Sequence, residues 1–482
     1  MDNFLLMCDS YKMSHWPQYP KNTDGYFGYV EARGCKRGWT FSQFVGLQIF
    51  RLKYLSKPFI RKDIDEVEKF MKLHGEPFNR EGWDYILDKY NGYIPVTIKA
   101  VPEGTKVGLS NVLCTVECLD PICFWVGSWI ETALLRSIWY STTVSTLSKV
   151  CKNIIKEEME KTCDNLDGLP FKLHDFGARG VSSSESAQIG GCSHLVNFMG
   201  SDTIEGIWTA NKYYDIEMAG FSIPAAEHST ITSWGMTKED EIAAYDNMLN
   251  IYAKPGTILA VVSDSTDIYW ACETAWGEFL KQKVIDSGAT LVVRPDSGEP
   301  EIVTLKCIEI LGDKFGYTLN SKGYKVLNPC VRLIQGDGVN ERSIRNILAN
   351  FRIHGWSADN IAFGMGGALL QGIDRDTLEF AMKCSAIRIK GIWYDVQKNP
   401  VTDSGKKSKA GRISLYQLGH GVPLYATYRQ DFVSKNPEWE DKKVYVPEVL
   451  EIVYELIKNP VDGYKPVNKK YSFEEVRNNS NK

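Results

Sequence analysis

Apolar and polar positions follow different rhythms in different parts of the chain. Between residues 94 and 118 they alternate one by one around two glycine-containing turns, which predicts antiparallel strands. From Ser128 to Cys163 the apolar residues recur at helical spacing, which predicts a long helix or a pair of helices. From about Ala386 the one-by-one alternation returns, so strands are expected there as well.

The chain after Pro170 shows a third pattern, in which uninterrupted apolar runs alternate with helix-like segments. Each apolar run ends in Gly, Asp or Ser: ILAVVSDS (258–265), TLVVRPDSG (290–298), VRLIQGDG (331–338) and NIAFGMGG (360–367). The helix-like segments cover residues 268–285, 302–311 and 344–353. This alternation predicts a parallel sheet buried on both faces. Ligands of such sheets and barrels bind at the carboxyl ends of the strands, although Gly and Asp also make ordinary turns there.

Composition narrows the class of protein and its partners. The 482 residues carry 56 Lys and Arg against 60 Asp and Glu, a net charge of −4, which argues against a nucleic-acid partner. The uncharged apolar stretch Pro121–Ile130 is too short to span a bilayer, and Met1–Ser10 is not a signal peptide. The 12 cysteines are dispersed and form no CxxC pair, which favours free thiols in a reducing compartment. We therefore expect a soluble, cytoplasmic protein that binds neither nucleic acid nor membrane.

The strand ends carry residues suited to a phosphorylated sugar. Arg294 offers a planar fork for phosphate or carboxylate, and Asp296 and Asp337 can accept hydrogen bonds from sugar hydroxyls. The GMGG at 364–367 allows backbone N–H groups to approach a phosphate closely. Phe176, in HDFGARG, is either a core residue or a platform for a flat ring.

His228, in SIPAAEHSTITSWG, is the candidate nucleophile among the 7 histidines. Its neighbour Glu227 and the Asp264/Asp267 pair could orient the imidazole and make it more basic and nucleophilic. The alternative is a histidine that is simply hydrogen-bonded near a helix start.

As a set, these motifs resemble the nicotinate/nicotinamide phosphoribosyltransferase family of type II phosphoribosyltransferases. The resemblance runs in order from Asp9 to Ser414 through these segments: CDSYKMSHWPQYPKNT, HDFGARGVSSSES, GSDT, IPAAEHST, VVSDSTDIY, VVRPDSG, IQGDGV, IAFGMGGALLQGIDRDT and KKSKAGR. It implies an α/β fold, an irregular TIM-like barrel of mostly parallel strands with a second, mainly antiparallel β domain. We assign residues 1–25, 125–160 and 170–380 to the barrel, 26–124 and 381–470 to the β domain, and 471–482 to a polar tail.

The resemblance implies transfer of the 5-phosphoribosyl group from 5-phosphoribosyl-1-pyrophosphate (PRPP) to nicotinamide, giving nicotinamide mononucleotide and pyrophosphate in NAD salvage. Mg²⁺ is the implied cofactor, and ATP hydrolysis is coupled through a phosphohistidine at His228. The implied assembly is a homodimer with shared active sites. The alternatives are a nicotinate phosphoribosyltransferase, a barrel lyase or aldolase acting on sugar phosphates, and a non-catalytic relative that acts as an interaction protein.

Site residues follow from the resemblance position by position. His228, Asp296 and Arg294 are the implied catalytic residues, with Glu227 and Asp267 orienting His228. The pyridine ring is expected between Phe176 and Tyr11 of the partner subunit. The remaining implied substrate contacts are Arg179, Asp202, Ser263, Asp267, Gly336, Asp337, Gly366, Gly367 and, across the dimer, Arg33, Arg375, Lys383 and Lys398. Mg²⁺ is expected on the pyrophosphate, with Asp267 and Asp296 reaching it through water.

Asp202 in GSDT bears on the choice of base. A carboxylate accepts hydrogen bonds from the carboxamide NH₂ of nicotinamide but repels the carboxylate of nicotinate, so we predict a preference for nicotinamide. Ala178 stands where relatives often carry an aromatic residue, which predicts a wider ring pocket. The segment GCKRGWT, which follows Arg33, also departs from the charged stretch common in the family.

Overall fold

The computed structural model describes residues 3–402, 407–418, 424–431 and 448–482. They form two compact units. The β unit comprises Met1–Thr146, Lys212–Ile216 and Asp374–Lys482, and the barrel unit comprises Leu147–Asn211 and Glu217–Ile373. This division differs from the expected one in grouping residues 1–25 and the chain up to Thr146 with the β strands.

The β unit is built on an antiparallel sheet. Its strands are β1 (Thr23–Ala32), β2 (Phe41–Gln43), β3 (Thr97–Ala100), β4 (Lys106–Gly108), β5 (Val112–Cys118), β14 (Phe380–Ile389), β15 (Ile392–Asp395), β16 (Ile413–Leu418), β17 (Leu424–Arg429), β18 (Glu451–Asn459) and β19 (Gly463–Asn468). Over the described residues, seven of them form one sheet in the order β15-β14-β1-β5-β3-β18-β19. The pairs β2–β4 and β16–β17 stand apart. The strands predicted between residues 94 and 118 and after Ala386 are confirmed.

The helices of this unit lie between its strands in the order of the sequence. They are α1 (Leu47–Phe50), α2 (Arg61–His74), α3 (Arg80–Tyr90), α4 (Val126–Trp129) and α5 (Glu131–Thr162), the last continuing into the barrel unit. Helix α5 is the long helix that the apolar spacing predicts.

The barrel unit contains the predicted parallel sheet. Its strands are β6 (Leu173–Asp175), β7 (Gly200–Ser201), β8 (Ile258–Val262), β9 (Thr290–Arg294), β12 (Val331–Gln335) and β13 (Ile361–Met365), with a separate hairpin of β10 (Tyr317–Leu319) and β11 (Lys325–Leu327). The sheet order is β7-β6-β13-β12-β9-β8, and every pairing is parallel. Each of the four apolar runs forms one of these strands, so the parallel-sheet prediction is confirmed.

A short irregular segment closes this sheet into a barrel. Ser201 N donates to Phe221 O (3.0 Å) next to β7, and Ala226 N donates to Ala260 O (2.9 Å) on β8. The segment 221–226 therefore bridges the two open edges of the sheet. The TIM-like character inferred from the sequence is confirmed, with one position of the barrel occupied by isolated bridges in place of a regular strand.

Helices follow the barrel strands in alternation. They are α6 (Ser184–His194), α7 (Ile204–Tyr214), α8 (His228–Thr232), α9 (Lys238–Tyr252), α10 (Ile268–Trp270), α11 (Lys281–Ser287), α12 (Pro300–Phe315), α13 (Glu341–Ile353) and α14 (Gly367–Leu370). The helix-like run 268–285 divides into α10, a π-helical stretch Ala271–Phe279 and α11. No helix among the described residues is both long and apolar enough to cross a bilayer.

The C-terminal residues form helix α15 (Phe473–Asn481) where we expected a polar tail. Ser472 caps the helix by accepting a hydrogen bond from Glu475 N, and the Glu475 carboxylate accepts one from Ser472 N. Phe473 and Val476, three positions apart, are buried. A capping box and two buried apolar side chains thus order a segment whose overall composition is polar.

Candidate active site

A cavity of about 800 Å³ runs through the barrel unit. Ile258 and Thr290, at the amino ends of β8 and β9, line one part of it, and Arg294 and Asp296, at the carboxyl end of β9, line another. The cavity therefore extends along the strands, and the side chains predicted at the strand ends border one of its mouths.

Part of the cavity wall is formed by apolar side chains, against which the Phe176 ring packs. Ala260, Val292 and Ile334 make a buried cluster, and Phe176 packs against it. The Phe176 backbone N–H donates to Met365 O on β13 (3.0 Å), and this hydrogen bond fixes the backbone position of Phe176. A Cβ at Gly364 would lie 1.9 Å from Phe176 Cε2, so only glycine is compatible with this ring position. The sequence relates Gly364 to phosphate binding, whereas in the structure its nearest neighbour is the Phe176 ring.

Asp202 lies in the cavity lining after β7. Its backbone N–H donates to Asp175 O (2.9 Å), and its Oδ1 accepts a hydrogen bond from the Ser222 hydroxyl. Among the described residues, Oδ2 has no hydrogen-bond donor. Behind it, Asp175 accepts a hydrogen bond from Gly177 N (2.7 Å), and burial, with a smaller effect of the Asp202 charge, raises the pKa of Asp175 to about 6.

Arg294, Asp296 and Asp337 meet where β9 and β12 end. Arg294 Nη2 lies 3.3 Å from Asp296 Oδ2, and Arg294 Nε is buried without a partner among the described atoms. Burial raises the pKa of Asp296; the Arg294 charge opposes this shift, and the Asp264 and Asp337 charges add to it. A Cβ at Gly336 would lie 3.0 Å from Asp296 Oδ1. This mouth of the cavity therefore presents the Arg294 guanidinium, whose hydrogen-bond donors are not all used by the described residues, beside the carboxylates of Asp296 and Asp337.

His228 is the first residue of α8 and is held by Asp264. Its Nε2 lies 2.9 Å from Asp264 Oδ1, and Asp264 Oδ2 accepts a hydrogen bond from Asp296 N (3.2 Å). The His228 side chain is 47% exposed, whereas that of Asp264 is 5% exposed. A buried carboxylate thus joins the histidine to the Arg294–Asp296 strand end.

Of the acids expected to orient His228, the structure places Asp264 in contact with the imidazole, and not Glu227 or Asp267. Glu227 accepts a hydrogen bond from the Ser229 hydroxyl. Asp267 caps α10 by accepting from the backbone N–H groups of Tyr269 (2.9 Å) and Trp270 (3.2 Å). A carboxylate turned toward a helix N-terminus is not turned toward the imidazole, so the role falls to Asp264.

Ser263 is also placed differently from the prediction. It is fully buried, its hydroxyl donates to Val261 O (3.0 Å), and it accepts a hydrogen bond from Trp276 Nε1 (3.1 Å). These contacts occupy the Ser263 hydroxyl with protein groups, so it supports the loop and is not in the cavity lining.

The candidate phosphate residues of the barrel unit lie together. Arg179, in the short helical turn Ala178–Gly180, lines the cavity with Gly366 and Gly367. Gly180 and Gly367 approach closely, because a Cβ at Gly180 would lie 3.2 Å from Gly367 Cα. Ala178 also lines the cavity.

The other predicted residues belong to the β unit: Tyr11, Arg33, Arg375, Lys383 and Lys398. Tyr11 is 55% exposed and packs edge-on against His15. Burial lowers the pKa of Lys383; the Glu131 charge opposes this shift, and the charges of Arg33, Lys12 and Lys398 add to it. Arg33 and Lys398 are thus within electrostatic reach of Lys383, and we call these three the β-unit cluster. Arg375 pairs with Asp376.

Sequence reasoning missed Ser222 as a site residue. It lies in the segment 221–226, which has no alternating or helical pattern, so nothing local signalled its place in the barrel wall.

Comparison with known proteins agrees with this architecture. Residues 171–444 match the nicotinate phosphoribosyltransferase (NAPRTase) family, and residues 3–98 match the nicotinamide phosphoribosyltransferase N-terminal domain. A nicotinamide phosphoribosyltransferase of Xanthomonas campestris is 53% identical over 416 residues, 86% of this chain and 88% of that protein. One from Mycoplasma pneumoniae is 32% identical over 446 residues, 85% and 95% of the two chains.

A solved structure shares the fold at low sequence identity. The nicotinate-nucleotide pyrophosphorylase from Pyrococcus furiosus aligns with a TM-score of 0.59 and 18% identity, covering 98% of this chain and 92% of that one. The barrel, its strand-end arginine and carboxylates, and these matches define a phosphoribosyltransferase. Specifically, the chain belongs to the nicotinate phosphoribosyltransferase family.

Proposed function

We propose that the protein transfers the 5-phosphoribosyl group of PRPP to nicotinamide, giving nicotinamide mononucleotide and pyrophosphate for NAD salvage. The observation that carries the proposal is Asp202, an acidic residue in the cavity lining whose Oδ2 has no donor among the described residues. A carboxamide NH₂ satisfies that oxygen, whereas the carboxylate of nicotinate is repelled. The names of the two relatives support the same choice of base.

The chemistry requires positioning more than proton transfer. The neutral pyridine nitrogen attacks the anomeric carbon as pyrophosphate leaves, so the nucleophile needs no general base, and the transition state resembles an oxocarbenium ion. Phe176 would stack on the pyridine ring, and Asp202 and the Arg294 guanidinium would hold the two ends of the carboxamide. Arg294 could alternatively hold a phosphate. Rate enhancement then comes from orientation and from stabilisation of the leaving polyanion.

Ribose and phosphate contacts would divide between two subunits. Asp296 and Asp337 would accept the ribose hydroxyls, and Arg179, Gly366 and Gly367 would meet phosphate. We propose a homodimer in which Tyr11 of the partner subunit covers the ring and the β-unit cluster Arg33, Lys383 and Lys398, with Arg375, meets the phosphates. Two side chains four residues apart on α7, Ile204 (77% exposed) and Trp208 (66% exposed), support the existence of such a contact surface.

His228 would couple ATP hydrolysis to this reaction. Because Asp264 accepts from Nε2–H, the free electron pair lies on Nδ1, which would attack the γ-phosphorus of ATP and release ADP. Hydrolysis of the phosphohistidine would later release phosphate and restore the imidazole.

Mg²⁺ fits the oxygen-rich mouth of the cavity. Among the described residues no group of three or more metal-binding side chains occurs, so the ion would bind mainly to pyrophosphate, with Asp296 and Asp267 reaching it through water. When bound, it would neutralise charge on the leaving pyrophosphate.

The direct test is incubation with nicotinamide, PRPP and Mg²⁺, with and without ATP, followed by mass spectrometry. We expect nicotinamide mononucleotide in both reactions, formed faster with ATP. Absence of the mononucleotide in both would instead favour the non-catalytic alternative.

His228→Ala should remove the ATP effect. We expect its rate with ATP to equal its rate without ATP, because the group that receives the phosphoryl is gone. Steady-state rates with and without ATP check this, with His354→Ala as control, since His354 is an exposed histidine bonded to Asn350 O. An ATP effect of native size in His228→Ala would contradict the coupling.

Ser222→Ala should weaken nicotinamide binding. The Ser222 hydroxyl fixes Asp202 Oδ1, and loss of a hydrogen bond to a charged group predicts a KM for nicotinamide about tenfold higher, with kcat largely kept. Ser287→Ala is the control, because the Ser287 hydroxyl donates to Val284 O (2.7 Å) and accepts from Ala289 N (3.1 Å) and does not line the cavity. An unchanged KM would show that Asp202 needs no such support.

We also propose a cytoplasmic location. The twelve cysteines are free thiols, as expected in a reducing compartment.

A further inference from the structure

A buried carboxylate outside the cavity connects to the loop that holds His228. Glu241, on α9, is 3% exposed. Its Oε2 accepts a hydrogen bond from Thr266 Oγ1 (2.6 Å), and its Oε1 accepts one from the Tyr245 hydroxyl. Burying a carboxylate costs free energy that hydroxyl donors offset only in part, so its presence calls for a reason.

Through Trp276, Tyr245 is also connected to Ser263, at the start of the loop that contains Thr266. The Tyr245 ring stacks on Trp276 with centroids 4.5 Å apart and planes 16° apart. Trp276 Nε1 donates to Ser263 Oγ (3.1 Å), and Ser263 N donates to Arg294 O (3.0 Å). We call Glu241, Tyr245 and Trp276 the loop clamp, because together they hold Ser263 and Thr266.

Asp264 lies between these two held positions. Its carboxylate contacts His228 Nε2 through one oxygen and Asp296 N through the other. A small rotation of the backbone from 263 to 266 would therefore move the acceptor away from the imidazole. None of the three clamp residues lies in the cavity lining, so their effect on His228 would pass through the loop.

We infer that Glu241 is a positioning residue, which fixes Thr266 and thereby holds Asp264 against His228. The inference deepens the proposed function, because it concerns the step in which His228 reacts with ATP. It separates that step from base binding, since Phe176 and Asp202 are held by other contacts.

A matched pair at position 266 tests the inference in the full-length enzyme. Thr266→Val removes the hydroxyl at nearly constant shape, and Thr266→Ser keeps it. We expect Thr266→Val to lower the ATP-stimulated rate about tenfold and the ATP-free rate by less than about threefold, because Asp264 also accepts from Asp296 N. The KM for nicotinamide should stay within about twofold of native. Thr266→Ser should behave like the native enzyme.

Two results would overturn the inference. Thr266→Val could match Thr266→Ser in the ATP-stimulated rate, or it could lose the ATP-free rate in the same proportion. Thermal unfolding of both variants shows whether a loss of rate reflects loss of folded protein.

A second measurement does not depend on ATP coupling. In protein labelled with ¹⁵N-histidine, the His228 imidazole resonances, identified by their absence in His228→Ala, should shift in Thr266→Val and in Glu241→Gln but not in Thr266→Ser. If the native enzyme is not stimulated by ATP, the coupling part of the proposed function fails and this spectrum still decides the positioning role. Unshifted His228 resonances in both Thr266→Val and Glu241→Gln would overturn it.

Discussion

Gly364→Ala is expected to lower kcat/KM for nicotinamide by at least about 100-fold, because the ring platform has no room for a methyl group. The added Cβ would lie 1.9 Å from Phe176 Cε2 and 2.2 Å from Cδ2. The ring cannot withdraw easily, since it packs on the cluster of Ala260, Val292 and Ile334. The backbone is equally constrained, because Gly364 pairs with His174 in the β13–β6 register.

A double-mutant cycle separates this clash from a general loss of stability. Phe176→Ala removes the ring, so Gly364→Ala should cost little more in that background. Gly108→Ala is the control, because the nearest atom to its Cβ would be Asn111 Nδ2 at 3.7 Å. If Gly364→Ala reduced kcat/KM as much without the ring as with it, the platform would not be the cause.

The sequence allowed much of the barrel to be predicted because buried parallel strands appear as continuous apolar runs. Strands β8, β9, β12 and β13 were predicted on that basis. Strands β6 and β7 have only three and two residues, and segment 221–226 joins the sheet through isolated bridges. Such short contacts leave no periodic pattern, so the barrel could be predicted only from the family resemblance and not from the apolar and polar pattern.

The site residues likewise include some that the sequence predicts and others that it does not. Arg294, Asp296 and Asp337 follow strands, and topology places the ends of neighbouring parallel strands together. Either Asp264 or Asp267, which lie in one loop, could contact His228. The structure shows that Asp267 caps α10 instead, and the sequence does not reveal this. The hydrogen bond between Ser222 and Asp202 joins distant segments, so no local signal in the sequence could reveal it.

Asp202 should set the choice of base, and Asp202→Ser should reduce the ratio of kcat/KM for nicotinamide to that for nicotinate by at least about 100-fold. A like-charge contact between a protein and its ligand costs several kcal/mol, and about 1.4 kcal/mol corresponds to a factor of ten. Steady-state kinetics with both bases, on the native enzyme and the variant, measure the ratio. Asp313→Ser, on exposed α12 surface, is the control.

Asp202→Asn distinguishes charge from shape as the origin of this preference. The amide has nearly the size of the carboxylate, but it carries no charge and can donate a hydrogen bond to nicotinate. If repulsion excludes nicotinate, Asp202→Asn should gain nicotinate use as Asp202→Ser does. If Asp202→Asn keeps the native preference while Asp202→Ser loses it, pocket size would be the determinant. Equal use of both bases by the native enzyme would contradict a selective role for Asp202 altogether, and it would favour the nicotinate phosphoribosyltransferase alternative.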